Sequence, residues 1–191
     1  MAVPIPKLTP EEYLKIERAA EYKSEYYRGE MFAMAGGSTG HSGLAAQLIG
    51  LLLNRLRGKG CKVYTSDLKV RTQSSGLYTY PDVSVVCGKP VLADDENDVL
   101  VNPRVIFEVL SPSTEAKDRG FKFQQYKQIE TLEAYVLVSQ REFLVERFSR
   151  AAGGAWTVYA EVRGMDAVLT LKSLGIEIPL AEIYQDVEFE A

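Results

Sequence analysis

Residues that build metal centres or disulfide frameworks are scarce in this sequence. Its 191 residues include two cysteines and one histidine, which are too few for a cysteine-rich zinc site. Cys61 and Cys87 lie in separate strand-like segments, and nothing in the sequence indicates an oxidising compartment. We therefore expect two reduced thiols in the core rather than a disulfide.

Long apolar runs and an excess of basic residues are also missing. The apolar segment at residues 44–56 is too short to cross a membrane and is interrupted by Gln47, Gly50 and Asn54. The first residues lack the basic stretch and long apolar core of a signal peptide, so we expect a cytoplasmic location and no membrane partner. The formal net charge of −4 argues against tight, non-specific DNA binding, although it allows a local basic cleft.

The length and composition suit one folded domain. Apolar residues make up 46% of the chain, which is enough for a core and excludes global disorder. We assign residues 1–191 to a single domain. Its parts are an N-terminal helix and hairpin at residues 9–35, a core at 38–140 and a C-terminal β extension at 141–191.

The spacing of apolar residues predicts a core with the order helix, three strands, helix, strand. The first core helix follows the glycine-rich loop at residues 36–40, and the second is predicted to run from a cap at Asp118 to Ile129. The four strands are predicted at residues 61–72, 78–87, 104–110 and 134–139. We expect all four strands in one mixed sheet with the two helices beside it.

Further elements are predicted on either side of this core. Thr9 and Pro10 begin a helix that runs to about Glu21. Residues 26–35 are typical of a strand with a turn at Gly29-Glu30, and residues 89–102 of a polar surface loop. The C-terminal part is predicted to be a β-meander that ends in a short helical turn, with strands at residues 143–148, 156–162 and 168–171.

Two carboxylates stand in strands that are otherwise apolar. Asp82 opens the run at residues 83–86, and Glu108 lies inside the run at residues 105–110. Because an unpaired buried carboxylate costs several kcal/mol, such a residue usually has a cation, a hydrogen-bond network or a metal beside it. The pair is therefore a candidate site.

The order of these residues resembles the PD-(D/E)XK nuclease superfamily. Within it, the chain is similar to a large and mostly uncharacterised bacterial family of restriction-endonuclease-like proteins. The similarity covers roughly residues 10–150. It is carried by Glu25-Tyr26-Tyr27-Arg28-Gly29-Glu30, His41, Tyr80-Pro81-Asp82-Val83, Glu108-Val109-Leu110-Ser111-Pro112-Ser113-Thr114, Asp118-Arg119, Lys122 and Tyr126. The resemblance implies an α/β (α+β) fold with a central mixed β-sheet flanked by helices, here with the additional β-meander.

The resemblance also implies Mg²⁺-dependent hydrolysis of DNA, with Mn²⁺ as an alternative ion. It makes Asp82 and Glu108 catalytic residues and metal ligands, and the carbonyl of Val109 a third ligand. The superfamily lysine two residues after the glutamate is replaced by Leu110. Related families place this lysine on the following helix, which makes Lys122 the candidate.

Four further residues are candidates for accessory roles. Tyr126 shares a helix face with Lys122 at i and i+4. His41 matches a recurring histidine of the resembled family and is predicted to contact a phosphate or to tune the metal site. Glu30 is a candidate accessory acid, and Gln47 is a weaker one because it carries an amide.

Structural interpretations stay open for several of these residues. Lys122 is also consistent with a lysine that snorkels over apolar surface or pairs with Glu108. Asp82 is consistent with a carboxylate bonded to local amides, His41 with a structural hydrogen bonder, and Glu30 with half of a surface pair.

The function has alternatives as well. One is a catalytically inactive nucleic-acid-binding or regulatory module of the same fold, and another is a metal-dependent hydrolase of a different phosphorylated substrate. A homodimer is a further expectation, because a two-fold assembly matches the symmetry of duplex DNA. The aromatic segment at residues 25–27 and the C-terminal meander would offer surface for it.

Overall fold

Two β-sheets and a small hairpin form the framework of the molecule. The computed structural model describes residues 7–34 and 36–189. The helices are α1 (Pro10–Ala19), α2 (Thr39–Arg55), α3 (residues 115–126) and α4 (Leu180–Ile183). The strands are β1 (Ser24–Tyr27), β2 (Glu30–Ala33), β3 (Cys61–Thr65), β4 (Lys69–Thr72), β5 (Leu77–Thr79), β6 (Val83–Cys87), β7 (Val99–Leu100), β8 (Val105–Val109), β9 (Ala134–Val138), β10 (Leu144–Arg150), β11 (Trp156–Arg163), β12 (Val168–Leu171) and β13 (Ile176–Pro179).

The central sheet has six strands in the order β11-β10-β9-β8-β6-β3. Strands β8 and β9 are parallel and the other neighbours are antiparallel, so the sheet is mixed. The four predicted core strands all contribute to it, which confirms the fold class and the expectation of one mixed sheet.

Helices cover both faces of this sheet. The apolar face of α2 packs on side chains that include Phe107 and Val136, whereas Tyr126 of α3 packs with Ile106 and Leu137 on the other face. Successive residues of a strand point to opposite faces. Glu108 therefore faces the α3 side of the sheet, like Ile106.

Two predicted strands are wrong in their extent. Residues 61–72 divide into β3 and β4, and residues 78–87 divide into β5 and β6. β3 and β6 join the central sheet, whereas β4 and β5 join a second sheet of order β2-β1-β5-β4-β7. The second break falls at Tyr80-Pro81-Asp82, where proline has no N–H for a ladder hydrogen bond. Apolar alternation continues across both breaks because both sheets have buried faces.

The helix boundaries differ in part from the prediction. α1 begins as expected, with a capping box between Thr9 and Glu12, and ends at Ala19. α3 begins at Glu115 instead of Asp118 and ends at Tyr126 instead of Ile129. It contains a π-helical stretch at Asp118–Lys122 between single helical turns. No helix in the described ranges is long and apolar enough to cross a membrane.

The N-terminal hairpin is formed as expected, although Ala35, the last residue of its predicted strand, lies outside the described residues. The C-terminal strands do not form a separate meander. β10 and β11 extend the central sheet, and β12 pairs with β13, a short strand that the sequence interpretation missed.

The expectation of reduced thiols is wrong, since a disulfide joins Cys61 and Cys87. The two residues are directly opposite each other in the β3–β6 pair. The adjacent N–H of Gly88 donates to the carbonyl of Gly60, so the cysteines occupy a non-hydrogen-bonded position of the ladder. Side chains approach most closely at such positions.

The aromatic surface expected for a dimer is largely buried. Tyr26 is 4% exposed, and its ring stacks on Tyr13 with 4.9 Å between the ring centroids. Glu25 is also 4% exposed. These residues therefore offer no dimer surface, and the homodimer stays a prediction without their support.

An ion network fixes α1 to the second sheet. The buried Lys69 ammonium lies 2.8 Å from Glu17 Oε2 and 2.8 Å from Asp98 Oδ2. Arg18 Nη2 lies 2.6 Å from Asp98 Oδ1, and the Tyr80 hydroxyl donates to Glu17. The Arg18 hydrogen bond, together with Lys69, lowers the pKa of Asp98 to about 2.

This pKa predicts an acid-sensitive contribution to stability. A carboxylate whose pKa is lower in the folded than in the unfolded protein stabilises the fold at pH values above its unfolded pKa. This stabilisation disappears as the pH falls through the pKa of the folded state. Between about pH 4 and pH 2, the free energy of unfolding of wild type should therefore fall by about 1 kcal/mol more than that of Asp98→Asn. This figure includes a reduction for solvent screening, because Asp98 is partly exposed. Urea unfolding at both pH values measures this difference. Asp95→Asn, at an exposed position of the same loop, should behave like wild type, and an equal loss in Asp98→Asn would contradict the prediction.

Candidate active site

The carboxylates of Asp82 and Glu108 meet where β6 and β8 pair. Val83 is opposite Phe107 in the antiparallel ladder, so the preceding Asp82 comes opposite Glu108. The Asp82 N–H donates to Glu108 Oε2 at 3.4 Å, and the Val109 N–H donates to Asp82 Oδ2 at 2.7 Å. Each acid is thus held by the backbone of the other strand, and the site lies on the strands rather than on loops.

Lys122 approaches Glu108 from α3. Its Nζ lies 3.0 Å from Glu108 Oε1, 3.0 Å from Asp118 Oδ1 and 3.9 Å from Glu25 Oε1. The residue is 6% exposed and its ammonium lies among carboxylates, so the interpretation of a lysine that snorkels over apolar surface is wrong. The pairing with Glu108 is present. Asp118 and Lys122 share one face at i and i+4, inside the π-helical stretch.

Tyr126 completes the contacts of Glu108. Its hydroxyl donates to Glu108 Oε1 at 2.9 Å, the same oxygen that Lys122 contacts. The predicted helix face of Lys122 and Tyr126 is therefore present. Glu108 Oε1 has two donors from α3, which leaves Oε2 facing Asp82.

The ionisation of these groups is strongly perturbed. Burial raises the pKa of Glu108; the Lys122 ammonium opposes this shift, Asp118 and Asp82 add to it, and the net value is about 8. For Lys122, burial favours the neutral amine, but the carboxylates of Glu108, Asp118 and Glu25 outweigh it and raise the pKa. The cluster holds a charged lysine among acids, one of which resists ionisation, and this is common at functional sites.

His41 contacts the second carboxylate from α2. Its Nε2 lies 3.1 Å from Asp82 Oδ2, and this hydrogen bond raises the pKa of His41. Ser38 caps the helix by accepting a hydrogen bond from the His41 N–H at 3.2 Å. A Cβ at Gly37 would come within 2.9 Å of His41 Nδ1, so a larger residue there would displace the imidazole from its position. The loop and the helix cap together hold the ring against Asp82.

Two acids of this site were not identified as candidates from the sequence. Glu25 accepts hydrogen bonds from Thr79 and Lys117, and the Lys122 charge and these bonds lower its pKa although burial opposes this. Asp118, predicted as a helix cap, is 1% exposed and pairs with Lys122. The i, i+4 spacing of Asp118 and Lys122 could have identified Asp118 as a partner of the lysine. No local sequence pattern indicates that Glu25, on a strand of the second sheet, lies close to Lys122.

Two weaker candidates lie elsewhere. Glu30 is exposed on β2, and the carboxylate of this hairpin that lines the site is Glu25. Gln47 donates to the carbonyl of Glu182 at 2.8 Å, which is a structural contact between α2 and α4. The structure therefore does not bring Glu30 or Gln47 to the site.

The cluster opens into a cavity of about 540 Å³ between the sheet, α3 and the loop before α2. Residues of this cavity that carry chemistry are Glu25, His41, Asp82, Glu108, Asp118 and Lys122. Within the described residues, no three or more His, Cys, Asp and Glu side chains are grouped to hold a metal. Mg²⁺ needs only one or two protein carboxylates and keeps several waters. Asp82 and Glu108 fit this requirement as hard oxygen donors on opposed strands.

Comparison with known proteins gives consistent results. A family model described as "Uma2: Putative restriction endonuclease" matches residues 10–181. An uncharacterized protein of Synechocystis sp. is 38% identical over 98% of this chain and 97% of its own length. A second one from the same organism is 32% identical over 88% and 95%, respectively.

A solved structure has the same fold. The crystal structure of a protein from Anabaena variabilis, described as a "putative nuclease belonging to DUF820", matches with a TM-score of 0.75 and 17% identity. The match covers 93% of this chain and 97% of that one. The restriction-endonuclease-like fold expected from the sequence is thereby confirmed. The chain belongs to the Uma2 family of restriction-endonuclease-like proteins.

Proposed function

We propose that this protein is a Mg²⁺-dependent nuclease that hydrolyses phosphodiester bonds of DNA. The observation that carries the proposal is the convergence of Asp82, Glu108 and Lys122 at one cavity, with Lys122 Nζ 3.0 Å from Glu108 Oε1. The description of the Uma2 family and that of the Anabaena protein support the same reaction class.

Asp82 and Glu108 would hold the ion, with the Val109 carbonyl as a further ligand. When bound, Mg²⁺ supplies Lewis-acid polarisation of a phosphoryl oxygen. A divalent cation held by these residues would also favour the ionised form of Glu108, which burial opposes. This match between the acids and a divalent cation supports the choice of metal.

Lys122 would place a positive charge beside the phosphate as negative charge develops on it. The side chain is already held near that point by Glu108 and Asp118. Tyr126 would orient Glu108 through its hydroxyl, and His41 would orient Asp82 through Nε2. Buried hydrogen bonds of this kind fix the rotamers of the carboxylates.

Cleavage of supercoiled plasmid and single-stranded DNA tests this function. Wild-type protein should cut at least one of these substrates with Mg²⁺ or Mn²⁺, and EDTA should stop the reaction. Gel-shift assays on the same substrates should be run in parallel. Retention of DNA without any cleavage would support the inactive binding or regulatory module instead. Hydrolysis of simple phosphate esters without DNA cleavage would support a hydrolase of other phosphorylated substrates.

A further inference from the structure

A second cavity, of about 360 Å³, lies at the far end of the central sheet. Its walls include Arg104 before β8 and Glu133 before β9, which are at the opposite ends of these strands from Glu108 and Val138. Arg147 and Arg150 of β10 and Lys172 at the β12–β13 turn complete the charged part of the wall. The cavity shares no lining residue with the candidate active site.

The wall of this cavity carries excess positive charge. Arg104 pairs with Glu133 at 3.0 Å. Arg147 donates to the carbonyl of Thr170, and Arg150 donates to the carbonyls of Lys127, Ile129 and Glu130. Among the described residues, no ion pair involves Arg147, Arg150 or the exposed Lys172. Four cations and one carboxylate therefore line a single cavity of a chain whose net charge is −4.

Several side chains that line this cavity also carry a buried N–H or O–H group that has no hydrogen-bond partner among the described residues. These groups are the Nε atoms of Arg104, Arg147 and Arg150 and the hydroxyl of Ser173. A buried donor without a partner is destabilising and is uncommon in folded proteins. The local charge excess of this cavity favours an anionic ligand, which would supply counter-charge to the arginines of the wall.

We propose that this cavity binds the phosphate group of a small phosphorylated molecule. Arginine recognises phosphate through paired N–H groups and stays charged when partly buried. The volume lies within the range of small-molecule sites. These cations line a closed-in cavity of an acidic chain rather than an extended groove, which favours a small ligand over a long nucleic-acid strand. This inference is independent of the proposed nuclease activity.

Calorimetric titration with inorganic phosphate and pyrophosphate, in EDTA, tests the site. Wild type should bind at least one of them saturably. Arg147→Gln, which keeps a donor for the Thr170 carbonyl, should weaken binding about tenfold. Lys172→Ala should weaken it about threefold, because this exposed ammonium is partly screened. Lys62→Ala removes the same charge at an exposed site on β3 and should bind like wild type.

The fluorescence of Trp156, the single tryptophan, locates the ligand. The Arg150 guanidinium lies over the indole, 5.2 Å from the ring centroid. An anion that attracts this guanidinium should therefore change the tryptophan emission, and the midpoint of that change should equal the midpoint of the calorimetric titration. Absence of saturable binding of either anion, or equal weakening in Lys62→Ala, would overturn the proposal. Loss of binding in Asp82→Asn would do the same, since it would assign the anion to the candidate active site. If only an oligonucleotide bound, and its binding depended on Lys172, the ligand of this cavity would be a nucleic-acid backbone and not a small molecule.

Discussion

Replacement of Lys122 with methionine should lower the free energy of unfolding by about 3–5 kcal/mol, the usual cost of removing one partner from a buried ionic cluster. The ammonium lies between Glu108 and Asp118, at 3.0 Å from each, and 3.9 Å from Glu25. All three acids are buried. Without Lys122, these acids would lose their shared cation in a site with little access to water, although methionine fills nearly the same volume.

Urea unfolding at neutral pH measures this effect. Lys89→Met, at an exposed position of the loop after β6, removes the same charge and should change stability by less than about 0.5 kcal/mol. The double variant Lys122→Met/Glu108→Gln should recover part of the loss, because the two residues are coupled. A loss of less than about 1 kcal/mol in Lys122→Met would contradict the assignment of Lys122 as the central cation of the cluster.

This expectation changes how activity assays on Lys122 must be designed. A lysine that only touched the substrate could be replaced with little effect on the fold. Here the same ammonium neutralises acids from the second sheet, the central sheet and α3. Loss of cleavage in a Lys122 variant is therefore informative only when the folded fraction has been measured. Asp82 offers a cleaner test, because its contacts are with the Val109 N–H and His41.

The predictable part of the fold is the part with unbroken local periodicity. Leucines at helical spacing on α2 and continuous apolar runs at β8 and β9 gave the correct elements and the correct sheet. The strand break at Tyr80-Pro81-Asp82 was not predicted, because alternation does not tell where a chain passes from one buried sheet to another. β13 was missed because its alternation is limited to Ile176 and Ile178 around Glu177 before the strand ends at Pro179.

The candidate site likewise contains residues that could be predicted from the sequence and residues that could not. The order of Asp82, Glu108 and Lys122 could be extracted from the sequence because each lies in an element with a clear pattern. Glu25 could not, since its contact with Lys122 depends on the approach of β1 and β5 to α3. Glu30, five residues later, was preferred from the motif but is exposed. Pairing of Cys61 with Cys87 likewise depended on the strand register, which composition does not contain.

Replacement of Asp82 with asparagine should abolish metal-induced stabilisation and reduce cleavage about a thousandfold, since several kcal/mol of transition-state stabilisation depend on the ion. Asparagine keeps an oxygen that can accept from the Val109 N–H, so the metal-free variant should be about as stable as wild type. At Mg²⁺ concentrations about a hundredfold above Kd, wild type should gain about 2.7 kcal/mol.

Thermal unfolding with and without Mg²⁺, together with single-turnover DNA cleavage, measures both effects. Asp166→Asn removes a carboxylate at an exposed position near β12 and should retain the Mg²⁺ shift and the cleavage rate of wild type. Glu108→Gln should lose the Mg²⁺ shift as Asp82→Asn does, because both acids face one site. If Asp82→Asn kept the full shift, the ion would bind elsewhere. If wild type showed neither a shift nor cleavage while Glu108→Gln unfolded, the interlocked carboxylates would be structural, and the nuclease proposal would fail.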